Sequence, residues 1–225
     1  MPRPFEIQPD VLAAIRPMRI EDIPRVTELH RQAMGQSLWA KLGPRFLRSI
    51  YKAMLSSPLF LGFVYEQEGG IEGFIAGSIH LSQMMRSIGL RHGHRLGISL
   101  LFGLRDPSVA KTLLETAQYF RKSKAGLAEE IHAESMFCSF TPKTRGKRIS
   151  GHINKVLFDT LHARGCQYVK ITTETDNIGA NRQLQSWGFE SKGTFHFYEK
   201  EMICYILDLS KSDRVDAKDW LREYA

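Results

Sequence analysis

The sequence predicts an α/β (α+β) fold: a mixed, largely antiparallel twisted sheet with a central parallel βαβ unit and a helical insertion. Three observations lead there. Two apolar, β-rich runs flank Gln67-Glu68-Gly69-Gly70, the pattern of an antiparallel hairpin. Residues 133–140, a helix-period segment at 149–164 and residues 166–172 follow one another at the short spacing of a βαβ unit, whose strands run parallel through a right-handed crossover. Residues 189–197 and 201–209 then make a closing pair of strands.

Residues 15–20 read as a short opening strand. Asp22 and Pro24 mark a helix start, and Ile23, Val26, Leu29 and Met34 give that helix an apolar stripe. After Gly43-Pro44, the residues Phe46, Leu47, Ile50, Tyr51 and Met54 recur at helical spacing, up to a stop at Ser56-Ser57-Pro58. The hairpin strands cover 59–65 and 71–79. From about 81 to 130 the rhythm breaks: 84–104 mixes arginine, histidine, glycine and leucine, and 108–120 reads as a capped helix closed by Arg121, Lys122 and Gly126. Beyond this insertion the βαβ helix carries Ile149, Ile153, Val156, Leu157, Thr160 and Leu161, and Gly165 stops it. Residues 177–187 make another helix, and 208–225 a polar tail with room for a short one.

With 225 residues, 43% hydrophobic and 24% charged, the chain can bury a continuous core, which excludes disorder as its main state. The expectation is one domain, 1–225, with its core at 15–209, an insertion at 81–130 and a polar tail at 210–225. The longest apolar run, 96–104, falls far short of the roughly 20 residues of a spanning helix. Residues 1–10 lack an apolar leader core, so the chain is expected in the cytoplasm. Cys138, Cys166 and Cys204 lie far apart, without metal-ligand spacing, and read as reduced core fillers. His92, His94 and His196 add only a lone His-x-His, so no metal is expected. The net charge of +7 points to an anionic partner, and residues 80–124 hold eight basic side chains against two acidic ones.

Between the strand ending at Phe140 and the helix starting near Ile149 lies Thr141-Pro142-Lys143-Thr144-Arg145-Gly146-Lys147-Arg148-Ile149-Ser150-Gly151. Four cations crowd one turn. A helix N-terminus offers unpaired N–H groups and about half a positive charge, so the turn can take a diphosphate or can be a solvated basic loop.

Together with Asn177, Ala180, Gly188 and Phe189, this turn resembles the GNAT superfamily of acetyl-CoA-dependent N-acetyltransferases. The family's phosphate motif runs Gln/Arg-x-x-Gly-x-Gly/Ala, and Arg145 opens it here; its later signature is Asn-x-x-Ala, a tyrosine four residues on, then Gly-Phe. The order of elements matches from Ile15 to Leu209, with 81–130 as an addition. Arg148 and Ser150 stand where the family prefers glycine, and Leu184 stands where many members carry the tyrosine that protonates the leaving thiolate. If position 148 needs φ > 0, arginine is costly there.

The resemblance implies that the two parallel strands splay at their C-terminal ends and admit the pantetheine arm of acetyl-CoA. The backbone of Cys138, Ser139 and Phe140 would pair with that arm. Arg145, Gly146, Lys147, Arg148, Ile149, Ser150 and Gly151 would hold the pyrophosphate, with Lys143 or Lys147 reaching other phosphates, while Asn177 and Ala180 complete the cofactor site. Glu134 matches the glutamate that acts as general base in the histone-modifying members, and burial would raise its pKa toward the useful range; a solvent-facing strand end is the alternative. Glu174 is the second candidate base, on the face of Thr172 if the strand continues. Tyr198 and Tyr205 are candidates for the missing acid.

The expected reaction is direct attack by a primary amine of a small molecule, such as a nucleotide-linked amino sugar, on acetyl-CoA. A protein or peptide amine, or acyl-CoA binding without catalysis, is the alternative. The basic insertion is read as packing, as a site for an anionic substrate, as a peripheral membrane contact through 84–105, or as a homodimer surface. Specific nucleic-acid binding is not expected.

Overall fold

The computed structural model describes residues 5, 7–35, 37–103, 131–144, 146–197 and 200–224. Its seven strands, β1 (Ile15–Pro17), β2 (Phe60–Gln67), β3 (Gly70–Ser78), β4 (Glu134–Phe140), β5 (Tyr168–Glu174), β6 (Glu190–Phe197) and β7 (Lys200–Asp208), form one sheet in the order β1-β2-β3-β4-β5-β7-β6. Every neighbouring pair is antiparallel except β4 and β5. That parallel pair is short, joined only at Glu134↔Lys170 and Ser135↔Ile171. Past Ser135 the two strands part, as the resemblance implies. The last strand, β7, is inserted between β5 and the edge strand β6.

The helices are α1 (Pro9–Ala13), α2 (Ile23–Met34), α3 (Leu38–Lys41), α4 (Gly43–Leu55), α5 (Leu81–Gly103), α6 (Ile149–Ala163), α7 (Ile178–Ser186) and α8 (Trp220–Glu223). Helix α6 covers one face of the sheet, where Ile153, Val156, Leu157 and Leu161 meet Leu61, Phe63, Ile75 and Val169. On the other face Leu47, Ile50 and Met54 of α4, Val26 and Leu29 of α2, and Met84 and Ile88 of α5 pack on Val64, Phe74 and Ala76. Strand alternation sorts each side chain onto one of these two faces. A bulge interrupts the alternation on β4: Ala76 pairs with Phe137 and Gly77 with Ser135, so Met136 is the extra residue and shares Phe137's face.

Several boundaries differ from expectation, for local reasons. The opening strand stops at Pro17, and Ile20–Asp22 turn as a 3₁₀ segment because Asp22 takes a bidentate bond from Arg16 at 2.7 and 2.9 Å and accepts the Arg19 amide at 2.7 Å. The tail is not a free polar end. Val215 and Trp220 are buried, and Lys155 Nζ binds Asp159 at 3.0 Å, Arg214 O at 2.9 Å and Asp216 at 2.7 Å, while Trp220 Nε1 donates to Asp159 at 3.1 Å. Burying the Lys155–Asp159 pair is tolerable because each charge is bonded several times over. The start of the insertion is one long helix, since Met84, Ile88 and Leu96 recur at multiples of four and pack against α4, which outweighs the glycines at 89, 93 and 97. The second helix expected at 108–120 lies outside the described residues. No helix among the described residues is long and apolar enough to cross a membrane.

Candidate active site

The site is built where β4 and β5 part. Beyond Ser135 the β5-facing edge of β4 has no strand partner among the described residues, so main-chain N–H and C=O groups between Met136 and Phe140 line one wall of a wedge. The side chains of this stretch are already engaged. Phe140 lies over Gly73, where an added Cβ would stand 2.1 Å from its ring; Ser139 Oγ donates to Leu29 O at 3.2 Å on the opposite face. Burial pushes the Cys138 thiol up to about 12, which makes it a poor nucleophile. What Cys138, Ser139 and Phe140 can offer a ligand is backbone.

At the narrow end of the wedge stands Glu134, with a side chain 17% exposed. It projects to the face of α2, α4 and α5, away from α6, because its neighbour Ala133 packs with the α6 cluster. Burial holds its pKa above the usual carboxylate range, and Lys170, whose Nζ lies 3.1 Å from Glu134 Oε2, offsets part of that rise. Ser78 is its cross-strand neighbour, and Cys204 of β7 lies within electrostatic reach of both Glu134 and Lys170. Two residues before Glu134, His132 stacks on His80 at a ring separation of 4.0 Å, and the Leu81 amide donates to His132 O at 3.0 Å, fixing the start of α5 beside the site. Farther up the same face, His30 of α2 meets Phe137 edge-on at 4.7 Å and Trp39 of α3 packs on Phe137 at 5.0 Å. His30 is fully buried, bonded through Nδ1 to Tyr51 Oη at 2.8 Å, and burial lowers its pKa to about 4.

Glu174 is not part of this cluster. It lies four residues beyond Lys170 on β5, about 13 Å along the strand at ~3.3 Å per residue, and its carboxylate is taken by Lys200 of β7 in a half-exposed pair. Tyr205 is likewise displaced: 2% exposed, it packs in the α6-face core opposite Ile171, not on the face of Glu134. Leu184 is buried in that same core. Tyr198 and Arg145 lie outside the described residues.

The basic turn leads into α6 through two left-handed residues, Gly146 at φ 77° and Arg148 at φ 55°. Position 148 therefore does need positive φ, and an arginine holds it, exposed to solvent together with Lys147. The first bonds of α6 run from the Gly151 and His152 amides to Arg148 O, at 2.9 and 3.4 Å, so the Ile149 and Ser150 amides precede the ladder. Ser150 is accommodated in place of glycine because its Oγ donates to Gln183 Oε1 of α7 at 3.1 Å. Gln183 Nε2 is buried and has no partner among the described residues. Two amides without a backbone partner among the described residues, an orphaned side-chain donor, the helix dipole and surface cations fit a diphosphate. Asn177 does something the sequence did not foretell: its Oδ1 caps α7 by accepting the Ala180 amide at 3.2 Å. Lys143 leans back onto Glu72 at 3.3 Å, beside Thr141, which bonds the same carboxylate. Among the described residues no group of three His, Cys, Asp or Glu side chains is placed to hold a metal ion.

Sequence reasoning missed Lys170, His30 and the His80–His132 stack. Lys170 had a signal, a lone cation inside the apolar strand Tyr168–Glu174, two residues before Thr172 on the same face. The others arise from contacts between elements distant in sequence.

A seven-stranded mixed sheet with a single parallel, parting pair covered on both faces by helices defines a recognisable α/β architecture. The chain has the GNAT N-acetyltransferase fold. It superposes on an N-acetyltransferase from Staphylococcus aureus Mu50 with a TM-score of 0.57 and 16% identity, over 87% of this chain and 97% of that one. With the ribosomal-protein-S18-alanine N-acetyltransferase of Escherichia coli the TM-score is 0.54 and the identity 13%, over 87% and 92% of the chains. A putative acetyltransferase of Salmonella typhimurium, solved with acetyl-CoA, gives 0.55 and 15%, over 91% and 98%. In sequence, 94 residues are 28% identical to a mycothiol acetyltransferase of Brachybacterium faecium, which is 42% of this chain and 27% of that protein's length. No family model matches.

Proposed function

We propose that this chain is an N-acetyltransferase that moves acetyl from acetyl-CoA to a primary amine of a small molecule, by direct attack with Glu134 as general base. The observation that carries this reading is a largely shielded carboxylate at the narrow end of a wedge one wall of which is β4 backbone without a strand partner among the described residues. Acetyl-CoA, when bound, supplies an acetyl thioester. The Ile149 and Ser150 amides, with Lys147, Arg148 and Gln183, hold its diphosphate; the β4 edge from Met136 to Phe140 takes the pantetheine amides and orients the reacting carbonyl. An amine of pKa about 10 arrives protonated at neutral pH, and Glu134 removes that proton so that the nitrogen lone pair can attack. A thiol of pKa about 8.5 is acidic enough to leave as the thiolate, which accounts for a leucine at position 184.

The mycothiol acetyltransferase match supports a small acceptor. Exposed Arg86 and Arg91, on the helix that starts beside Glu134, favour one that carries a phosphate, as a nucleotide-linked amino sugar does. A thiol-release assay with acetyl-CoA across amino sugars, their nucleotide conjugates, amino-acid amines and peptides tests this. Turnover is expected with a phosphorylated small amine and is expected to drop by about 10²- to 10⁴-fold in Glu134→Gln. Turnover on peptides alone replaces the acceptor; a fully active Glu134→Gln protein removes the base assignment.

A further inference from the structure

We infer that Lys170 is a positioning residue that keeps Glu134 ionised and aimed into the wedge, so that the base is ready before the acceptor arrives. This rests on Glu134 acting as the base. Lys170 belongs to one of the only two residue pairs that join β4 to β5, directly opposite Glu134, and its Nζ lies 3.1 Å from Glu134 Oε2. Both side chains are largely shielded, 24% and 17% exposed. A carboxylate so placed is driven toward its neutral form by loss of water, and a neutral acid cannot accept the amine's proton. An ammonium at hydrogen-bond distance opposes that drift and fixes the carboxyl rotamer at the same time.

The surroundings leave the task to Lys170. On β3, Glu134 faces the Ser78 hydroxyl and, one step on, His80, whose Nδ1 accepts the Gln83 amide at 3.3 Å and whose pKa is lowered by burial and by His132. On its own chain the nearest titratable group of the same face is His132, stacked on His80. On β7 it faces Cys204, a thiol held protonated by burial. Helix α2 presents His30, fully buried against Phe137, and α5 presents Met84 and Met85 while Arg86 points to solvent. Lys170 is thus the cation in direct contact with the carboxylate among the described residues.

Lys170 also sets a condition on the acceptor. The incoming ammonium needs a lone pair of the same carboxylate, of which Lys170 occupies one oxygen, Oε2. A carboxylate has room for both partners, so proton transfer runs to the other oxygen while Lys170 stays in place.

The test compares pH profiles of kcat/KM for the wild type, Lys170→Met, Lys170→Arg and Glu134→Gln, with fold checked by circular dichroism. In Lys170→Met the acid limb should move to higher pH, so that activity at neutral pH falls about tenfold while the alkaline plateau falls much less. Lys170→Arg should return the limb toward its wild-type position, which a purely structural lysine has no reason to do. An unmoved limb in folded, active Lys170→Met, with Glu134→Gln inactive, overturns the role of Lys170 and leaves the base in place. Glu134→Gln at full activity overturns the base itself, whatever the lysine variants do.

Discussion

Arg148 is held at φ 55° and ψ 17°, a backbone conformation that costs an L-residue about 1–2 kcal/mol, in the turn that opens α6. Arg148→Gly removes that cost and adds about 0.5–1 kcal/mol of unfolded-chain entropy, so the net gain is about 0.5–1 kcal/mol. For a chain of this length each kcal/mol moves the midpoint by about 2–4 °C, giving an expected rise of about 1–4 °C in a calorimetric scan without ligand. Arg148→Ala is the control: it deletes the same side chain, and with it the same charge repulsion at the positive end of α6, but keeps the left-handed strain, so its midpoint should rise less than that of Arg148→Gly. The variants also separate backbone from charge in ligand binding. Both lose one exposed cation near the α6 dipole, for which about 0.3–1 kcal/mol, a two- to fivefold weakening of coenzyme A affinity by titration calorimetry, is expected. Equal midpoints for glycine and alanine would show that the strain is not expressed, and an increase in affinity would show that the side chain obstructs the phosphate turn.

Two other residues give independent predictions. His30 is buried and neutral, with its pKa lowered to about 4 against about 6.5 in an unfolded chain, so the unfolded state binds the extra proton first. Its contribution is therefore present above pH 6.5 and lost as pH falls toward 4, by about 3 kcal/mol over that window; urea titrations should show a shallower acid loss in His30→Gln, and parallel curves would refute the assignment. A Cβ at Gly73 would meet the Phe140 ring at 2.1 Å, so Gly73→Ala should cost about 1–3 kcal/mol and weaken coenzyme A binding by displacing the β4 edge, whereas Gly69→Ala, with open space around it, should not affect binding.

The elements were legible wherever a period was long enough to count. The 3.6-residue stripe of α2, α4 and α6 and the glycine turn between β2 and β3 gave their positions within a few residues. The N-terminal α1, five residues long, has no such stripe, and the docked tail rests on Lys155, whose burial follows from a partner 61 residues away. At the site the same division holds. The α6 turn could be read from spacing, because strand-to-helix turns are local, whereas Glu134 was singled out by the family resemblance alone. Whether Arg148 needed positive φ, which face Tyr205 took and what Glu134 was paired with depend on backbone geometry and on the register of neighbouring strands. Asn177 carries a local duty that its motif does not describe, since its Oδ1 closes the first turn of α7.

The strand order has a consequence for how the molecule comes into being. The part of the sheet built from β5, β6 and β7 is joined to the remainder by two residue pairs, and its central member is the last of the three to leave the ribosome. Until that strand arrives, β5 has nearly its whole length unzipped on one side and all of it on the other, a state prone to pairing with foreign edges. Synthesis that pauses after β6 should therefore leave a chain that can fold α2 through β3 yet clings to chaperones, and release should coincide with the emergence of residues 200–208.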